Sequence, residues 1–508
     1  MNLLVLALVP ISLFLLVSSR RHSNRQRRQR LFSSLSLSPK TEDGKSRKII
    51  GFFHPYCNAG GGGERVLWTA LSYMQRTTLT SRDVYVVYTG DRGVSKDSMI
   101  AKVQSRFGIT LDPTSLQFII LNSRYLIEDS TWKRFTLAGQ SFGSVLLAIE
   151  ALWINRDAVT PDVWIDTMGY AFTYPLVKHV CRIPIGSYTH YPTISTDMLR
   201  RVETRQAGHT NNSAVSKSLV LTTLKLTYYR LFARAYRSAL DCADLIWVNS
   251  TWTRNHIEQI LDGNGETKRT RLLYPPCDTA SLSTLPLSCP PRKPVQILSL
   301  SQFRPEKEHA LQLEALSELF SLRPDLRSSG VRLILAGSVR NEGDSDRVNG
   351  LKGLARELGI EEEVEFRINE DWDSLRGLLG QSGVGLHTMF DEHFGITLVE
   401  FQAAGLIPLA HASAGPLLDI LTPYSSSAVS SGPTGYLASS SSRRDLPRAF
   451  AQELSKILDL TEEEQVVVRE RARENAKERF GTKVFEDGWG EGWETLMGER
   501  KALVDKRL

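Results

Sequence analysis

Cysteine is scarce in this sequence of 508 residues, which contains only five. The five are widely spaced and form no C-x-x-C pair, so the sequence indicates neither a disulfide framework nor a structural zinc site. Charge is also unexceptional, since 23% of the residues are charged and 41% are hydrophobic. This composition excludes a disordered or fibrous chain, and the length suggests about three domains.

Most of the chain lacks excess positive charge. The formal net charge is +6, but residues 18–48 alone carry ten lysines and arginines against two acidic residues, so the remainder sums to about −2. A nucleic-acid groove needs lysine and arginine spread through the folded body. We therefore expect no nucleic-acid partner, and we expect the basic segment to face an anionic surface.

An apolar run at residues 3–17 directly precedes these basic residues. As a helix, residues 1–19 would rise about 28 Å, close to the hydrocarbon core of the endoplasmic reticulum membrane at about 27 Å. The alternative is a cleaved signal peptide, but its positive charge should precede the apolar run, and no clear A-x-A site follows. The sequence thus favours a membrane anchor, and the positive-inside rule predicts a body in the cytosol.

Beyond the basic segment, short apolar runs alternate with helical stretches, which predicts crossover units and parallel sheets. The Pro- and Ser-rich segment at 274–294 separates two such series and is interpreted as a linker. The predicted organisation is a membrane anchor, a basic arm, two α/β domains and C-terminal helices that pack back on the N-terminal domain. Their ranges are 1–19, 20–46, 47–285, 286–460 and 461–508.

Four consecutive glycines, Gly60 to Gly63, stand between a predicted strand and a predicted helix. Backbone N–H groups of such a turn can approach an anion at the positive end of the helix; the alternative is a flexible turn. Arg65 occupies the place of the third glycine of a dinucleotide fingerprint, and no Gly-Lys-Ser/Thr follows. The loop therefore predicts a phosphate or sugar site other than the usual NAD or ATP one.

Two glutamates, Glu392 and Glu400, stand eight positions apart. If a helix begins near Ile396, Glu392 lies in the loop before it and Glu400 lies in its early turns. Carboxylates that flank a helix N-terminus suit a ligand with a diphosphate for the amides and sugar hydroxyls for the carboxylates. A capped helix with no ligand is the alternative.

Two other motifs carry weaker signals. Residues 139–143 match the G-x-S-x-G nucleophile elbow of hydrolases, but the preceding residues form a poor strand, and a helix start with small residues is the better interpretation. Asp344 and Asp346 could form a metal clip, although serine and aspartate at this point cap helices routinely.

Five segments together resemble a known family: residues 54–65, 165–172, 189–198, 302–307 and 391–400. They resemble the retaining, two-domain GT-B glycosyltransferases, and within them the branch that transfers mannose from GDP-mannose to dolichol-linked oligosaccharides. The resemblance runs from about residue 48 to the C-terminus. It implies two Rossmann-like domains facing a cleft, and the N-terminal anchor fits it.

The resemblance also implies roles for individual residues. His190 would lie near the transferring carbon and Glu392 would hold the mannose hydroxyls, so both are predicted to be catalytic. The family usually places its phosphate-binding arginine five residues before the lysine, whereas Arg304 lies three before Lys307, which leaves the role of Arg304 open. The predicted donor-binding residues are Gly61, Gly62, Gly63, Arg304, Lys307, Phe394, Gly395, Ile396, Thr397 and Glu400.

The predicted activity is metal-independent, without a cofactor, and transfers mannose with retention in α-1,2 linkage onto a dolichyl-diphosphate oligosaccharide. It would occur at the cytosolic face of the endoplasmic reticulum during assembly of the N-glycan precursor, with other mannosyltransferases of the pathway as expected partners. The alternatives are a transferase for another nucleotide sugar or lipid acceptor, and a catalytically silent nucleotide-sugar-binding subunit. The glycine spacing weakens a flavin or NAD oxidoreductase.

Overall fold

The computed structural model describes residues 23–77, 83–194, 198, 219–261, 269–287 and 296–505. Its contacts divide the chain into two compact units. The first unit contains the described residues up to Trp247, together with His256–Arg271 and the residues from Trp489 on. The second contains Val248–Asn255 and Leu272–Gly488. The predicted membrane anchor at 1–19 lies outside the described residues.

The first unit is built around a seven-stranded sheet with the order β3-β2-β1-β4-β5-β6-β7. The pairs that β1 forms with β2 and β4 are parallel, as are β2 with β3 and β4 with β5. All five residues of the central strand β1 are buried, as expected for a strand covered on both faces. The strands are β1 (Ile49–Phe53), β2 (Val84–Thr89), β3 (Leu116–Ile120), β4 (Val163–Asp166), β5 (Ile185–Thr189), β6 (Leu245–Val248) and β7 (Thr270–Leu272).

Helices connect these strands, as the alternation of apolar and helical segments predicted. They are α1 (residues 23–34), α2 (Gly62–Thr77), α3 (Lys96–Phe107), α4 (Thr136–Ile149), α5 (Leu219–Leu240) and α6 (Thr251–Leu261). Short 3-10 turns lie at Pro113–Ser115, Arg124–Ile127, Asp129–Thr131 and Ala171–Thr173, and π-helical turns lie at Glu150–Ile154 and Leu176–Cys181.

The second unit contains a six-stranded sheet with the order β10-β9-β8-β11-β12-β13, in which every neighbouring pair is parallel. Its strands are β8 (Gln296–Leu300), β9 (Arg332–Gly337), β10 (Val364–Ile368), β11 (Val384–His387), β12 (Ile407–His411) and β13 (Tyr436–Ala438). Strand order reverses between β8 and β11, and open parallel sheets bind ligands at such a switch point.

The first helix of the second unit lies within the predicted linker, and the other helices follow it. They are α7 (Thr279–Leu282), α8 (His309–Leu322), α9 (Pro324–Ser328), α10 (Glu342–Glu357), α11 (Trp372–Gln381), α12 (Ile396–Ala404), α13 (Leu446–Leu458), α14 (Glu462–Phe480) and α15 (Thr482–Asp505). Further turns lie at Pro305–Lys307, Glu361–Glu363 and Pro416–Ile420.

The C-terminal helices divide between the two units. Helix α14 packs against α12 in the second unit. Further along, Trp489 in α15 is buried in the first unit, where its ring stacks on Trp247 at 4.4 Å between centroids and lies 6.5 Å from Phe52. The described tail therefore contributes to both cores.

The basic arm is partly folded rather than extended. Helix α1 buries Leu31 and Phe32, and Arg28 forms an ion pair of 2.7 Å with Asp162. Arg27 donates to the carbonyl oxygen of Trp153 at 3.0 Å. These contacts show that two arginines of the arm bind the first unit; that the arm also faces an anionic surface stays a prediction.

Within the described part of the chain, one helical stretch, Thr136–Ile154, is long and apolar enough to cross a membrane by length and composition. Half of its apolar window is buried in the fold, and the core helix of a soluble protein passes the same test. The G-x-S-x-G motif lies in this helix. A Cβ atom at Gly143 would stand 2.0 Å from the carbonyl oxygen of Leu126, so close packing explains the glycine.

Candidate functional site

The glycine loop of the first unit connects β1 to α2. Gly60 has a φ of +85°, and α2 begins at Gly62. The Gly61 N–H donates to the Glu64 carboxylate at 2.5 Å, so the first turn of α2 closes back on the loop. Burial acts to raise the pKa of Glu64, but hydrogen bonding and charge from His54 and the Gly61 amide outweigh it and lower that pKa.

Two histidines lie around Thr167, the residue that follows β4. The Nδ1 atom of the fully buried His54 is 2.7 Å from the Thr167 hydroxyl. The Nε2 atom of His190, just after β5, is 3.1 Å from the Thr167 carbonyl oxygen. That ring also lies 3.4 Å from the point where a Cβ atom of Gly63 would stand. The structure thus brings His190 to the predicted glycine loop.

Asp166 fixes the turn that carries Thr167. Its carboxylate accepts hydrogen bonds from the N–H groups of Met168 and Gly169 and from the Tyr174 hydroxyl. Burial raises the pKa of Asp166 to about 6, against the effect of these donors. Asp166 lies in the segment 165–172 that resembles the family, but no role was predicted for it.

In the second unit, Lys307, Glu392 and His387 form a partly buried cluster. The Lys307 ammonium lies 2.6 Å from Glu392 Oε2, and His387 Nε2 lies 3.0 Å from the same oxygen. Burial acts to raise the pKa of Glu392, but the Lys307 charge and the His387 contact hold it well below its usual range. Burial lowers the pKa of His387. The cluster therefore holds a carboxylate anion, an ammonium cation and a neutral imidazole.

The residues around this cluster fix its geometry. The Thr388 hydroxyl donates to the carbonyl oxygens of Lys307 and Glu308 at 3.1 Å each, and Gln312 donates to Thr388 at 3.0 Å. These bonds attach the end of β11 to the turn that carries Lys307.

The segment from Glu392 to Glu400 has the predicted geometry. Helix α12 begins at Ile396, Glu392 precedes it and Glu400 lies in its second turn. Gly395 has a φ of +109°, a left-handed conformation in which other residues are strained, and Phe394 is buried. Ile396 and Thr397 form the first turn of α12, so their N–H groups belong to its positive end.

Arg304 lies apart from the contacts of this cluster. Its guanidinium is 3.9 Å from the Glu306 carboxylate, and its side chain is 41% exposed. The structure therefore joins Lys307 to the glutamate of the motif, while Arg304 faces solvent beside a neighbouring acid. A role for Arg304 in holding a diphosphate stays a prediction.

Sequence reasoning missed His387, His54 and Glu64 as site residues. His387 ends a buried strand, and its only sequence signal is a polar residue at the carboxyl end of a predicted strand, five residues before Glu392. Among the described residues, no group of three or more His, Cys, Asp or Glu side chains could hold a metal ion. Asp344 instead accepts from the Arg340 N–H at the start of α10.

The comparisons with known proteins agree across both units. A family profile described as "ALG11 mannosyltransferase N-terminus" matches residues 47–261, and one described as "Glycosyl transferases group 1" matches residues 289–479. A mouse protein named GDP-Man:Man(3)GlcNAc(2)-PP-Dol alpha-1,2-mannosyltransferase is 44% identical over 90% of this chain and 88% of its own. The human protein of the same name is 43% identical over 91% and 88%.

Among solved structures, sucrose-phosphate synthase from Thermosynechococcus elongatus superposes with a TM-score of 0.60 at 15% identity. The alignment covers 89% of this chain and all of that one. At this identity the likeness concerns the fold alone. Together with the two parallel sheets, it confirms the predicted α/β fold class of two Rossmann-like domains.

Proposed function

The chain belongs to the ALG11 mannosyltransferase family, and on that premise we propose that it transfers mannose from GDP-mannose onto a dolichyl-diphosphate oligosaccharide. The linkage formed is α-1,2, the anomeric configuration is retained, and the product is a precursor of N-linked glycans. The observation that supports this function best is the Lys307–Glu392–His387 cluster, which provides a cation and a carboxylate at one place. The chain that contains it aligns with the mouse mannosyltransferase over nine tenths of its length. Neither predicted alternative has support among the comparisons.

The transfer exchanges one bond at the anomeric carbon of mannose for another. The bond to the β-phosphate oxygen breaks, an acceptor hydroxyl oxygen forms the new bond, and the hydroxyl proton leaves with the phosphate. Negative charge develops on the leaving GDP, and a cation fixed beside it stabilises the transition state. Lys307 is that cation, with the N–H groups at the start of α12 as additional donors.

Glu392 accepts hydrogen bonds from the mannose hydroxyls in this assignment. Its carboxylate contacts both Lys307 and His387, and the His387 contact can hold it in place when Lys307 turns to the diphosphate. Glu400 in α12 binds the ribose of the nucleotide. His190 in the first unit lies near the transferring carbon.

The reaction needs no metal ion in this proposal. Lys307 and backbone amides stabilise the negative charge of the diphosphate that a divalent cation would otherwise neutralise. The residues present thus supply a cation and hydrogen-bond donors for a diphosphate, as the metal-independent mechanism requires.

The enzyme is proposed to act at the endoplasmic reticulum membrane with its body in the cytosol. The acceptor named for the relatives is linked to dolichol, a lipid. In the first unit, exposed apolar side chains lie at Phe135, Phe142 and Ile154 in and beside α4, and at Leu224 and Leu231 in α5. Exposed apolar surface of this kind supports contact with a bilayer.

The test is a transfer assay with purified full-length protein in detergent. GDP-mannose, UDP-glucose and ADP-glucose are each offered with lipid-linked Man(3)GlcNAc(2) diphosphate, and products are separated by mass and digested with an α-1,2-mannosidase. We expect mannose addition from GDP-mannose only, with a product sensitive to the mannosidase.

Two variants assign the activity to the site. Glu392→Gln should lose most of the transfer, whereas Glu453→Gln, a change at a partly exposed glutamate of α13 in the same unit, should not. Consumption of another donor, or no transfer by the wild-type protein, would contradict the proposal. Orientation is tested by protease digestion of sealed microsomes, in which a cytosolic body must be degraded.

A further inference from the structure

Asp419 is a fully buried carboxylate of the second unit, and it lies outside the Lys307 cluster. It stands in the π-helical turn Pro416–Ile420. Its oxygens accept hydrogen bonds from the Thr251 N–H at 3.0 Å, the Thr251 hydroxyl at 2.6 Å and the Tyr274 hydroxyl at 2.9 Å. A buried carboxylate requires such donors, and here they come from two residues that lie 168 and 145 positions earlier in the chain.

Tyr274 connects Asp419 to the loop before α12. Its hydroxyl donates to the carboxylate, and its ring stacks on that of Phe394 with 5.5 Å between the centroids. Phe394 is buried and follows Glu392 by two positions. The place of the Tyr274 ring, and with it the packing of Phe394, therefore depends on the hydrogen bond to Asp419.

Thr251 provides a second connection to the same loop. Its N–H and its hydroxyl both donate to Asp419, and it is the first residue of α6. The next residue, Trp252, stacks on His393 with 5.2 Å between the centroids and an angle of 15° between the rings. His393 directly follows Glu392. Two aromatic rings thus contact successive residues of the loop, and Asp419 binds the segments from which both rings come.

The backbone next to the turn of Asp419 also contacts the loop directly. The Gly415 N–H donates to the Glu392 carbonyl oxygen at 3.0 Å. A Cβ atom on Gly415 would lie 2.4 Å from the Phe394 carbonyl oxygen, so turn and loop pack closely there. The loop is therefore held through its backbone by this turn and through its side chains by two rings, and Asp419 is bonded to each of these supports or lies within it.

The transfer depends on where this loop places Glu392. A carboxylate that binds the mannose hydroxyls must stand in a fixed position, and a displacement of about 1 Å can cost about 100-fold in rate. Resting on the proposed function, we propose that Asp419 is a positioning residue, which holds Glu392 in the place that transfer requires through Thr251 and Tyr274. Because it is fully buried, Asp419 acts through these residues and not by contact with the sugar.

The main test compares Asp419→Ala with the control Glu363→Ala. Glu363 is a carboxylate of the same unit, 16% exposed, that accepts from Arg327 at 2.9 and 3.2 Å. It directly precedes β10 and so lies at the opposite edge of the parallel sheet from the Lys307 cluster. For each variant, kcat and KM for GDP-mannose are measured at saturating acceptor, and the Kd for GDP is measured by calorimetry. Circular dichroism sets a temperature at which every variant is folded.

Asp419→Ala should lower kcat/KM for GDP-mannose about 10- to 100-fold. The Kd for GDP should stay within about threefold, because GDP lacks the mannose that Glu392 binds, and Glu363→Ala should change neither quantity by more than that. A normal kcat/KM in the folded Asp419→Ala variant would overturn the inference. Equal losses of GDP binding and of kcat/KM would also overturn it, because they would mean that the variant deforms the whole unit.

A milder pair of variants keeps the inference testable if Asp419→Ala does not fold. Tyr274→Phe keeps the ring that stacks on Phe394 and removes only the hydroxyl that binds Asp419. Its control is Tyr424→Phe, because the Tyr424 hydroxyl likewise donates to a carboxylate of this unit, that of Glu478. Tyr274→Phe should lower kcat/KM for GDP-mannose about three- to tenfold, and Tyr424→Phe should leave it unchanged. Equal kinetics of the two variants would overturn the inference.

Hydrogen–deuterium exchange tests the connection between Asp419 and the loop independently of activity. The amides of Gly415 and Leu398 donate to carbonyl oxygens of the loop. In Tyr274→Phe they should exchange about tenfold faster than in the wild-type protein, while the amides of strand β11 keep their rates. Unchanged exchange at both amides would overturn the inference. Absence of mannose transfer by the wild-type protein would instead count against the proposed function.

Discussion

Replacing Lys307 by methionine should destabilise the protein because it leaves the Glu392 carboxylate buried without its cation. Removing one partner of a buried ion pair costs about 3–5 kcal/mol. Here the Lys307 and Glu392 side chains retain 22% and 14% exposure, so we expect a smaller loss in the free energy of unfolding, about 2–3 kcal/mol. Glu392→Gln should cost a similar amount, since it leaves the ammonium unpaired.

The double variant, Lys307→Met with Glu392→Gln, removes both charges and should cost less than the two single losses added together. We expect a coupling free energy of about 1.5–2 kcal/mol, within the range for residues in direct contact. Urea unfolding followed by circular dichroism measures all four proteins. Because the pKa of Glu392 in the folded protein lies below its ordinary value of 4.5, the pair is intact above about that pH and is lost as pH falls further. Measurements at pH 7 therefore report the whole coupling.

The chain offers a matched control in Lys456 and Glu453. This pair has the same residue types in the same unit and the same separation of 2.6 Å, but the lysine is 63% exposed. Exposed pairs couple by about 0.5 kcal/mol or less. If the coupling between Lys307 and Glu392 is no larger than that of the control, the buried ion pair does not form in solution, and the electrostatic account of the cluster fails.

Four further predictions concern other parts of the molecule. Transfer should persist in EDTA, and loss that Mn²⁺ or Mg²⁺ restores would contradict the metal-independent mechanism. His190→Ala should lower kcat more than it weakens GDP-mannose binding, whereas equal effects on both would indicate a structural histidine. Deletion of residues 1–22 should leave the melting temperature unchanged in detergent, whereas deletion of 1–46 should lower it, because α1 buries apolar side chains and pairs with Asp162. Burial raises the pKa of Asp166 to about 6 from 3.8, so the folded state binds more protons between these pH values, and the free energy of unfolding should fall as pH rises through that window. Asp166→Asn should make the free energy of unfolding less dependent on pH in this window. An unchanged pH dependence would refute the assignment.

The alternation of apolar and helical segments was enough to predict the fold class. The strand predicted before the glycine loop is observed as Ile49–Phe53, and the helix predicted to begin near Ile396 begins at that residue. These features depend on local periodicity and on glycine at a left-handed position, both of which are visible in a short window of sequence.

The basic arm could not be predicted in the same way. The ten positive charges of residues 18–48 indicate an anionic partner, but one of the arginines pairs with Asp162, more than 130 residues away along the chain. Burial of Leu31 and Phe32 likewise depends on surfaces that distant segments supply. Local charge density alone therefore does not reveal which basic residues of the arm have partners within the fold.

The candidate site shows a similar limit at the level of single charges. Lys307 is predicted to bind the donor and Glu392 the sugar hydroxyls, as separate roles, yet the two side chains form an ion pair with each other. In the proposed mechanism, a diphosphate that binds Lys307 competes with Glu392, and the released carboxylate becomes available to the mannose hydroxyls. His387 retains a hydrogen bond to that carboxylate, so it can hold Glu392 in place while the lysine turns to the donor. The proposed mechanism thereby couples donor binding to the orientation of the carboxylate through one oxygen atom, Glu392 Oε2. This coupling depends on Lys307 meeting two residues, His387 and Glu392, that lie 80 or more positions further along the chain.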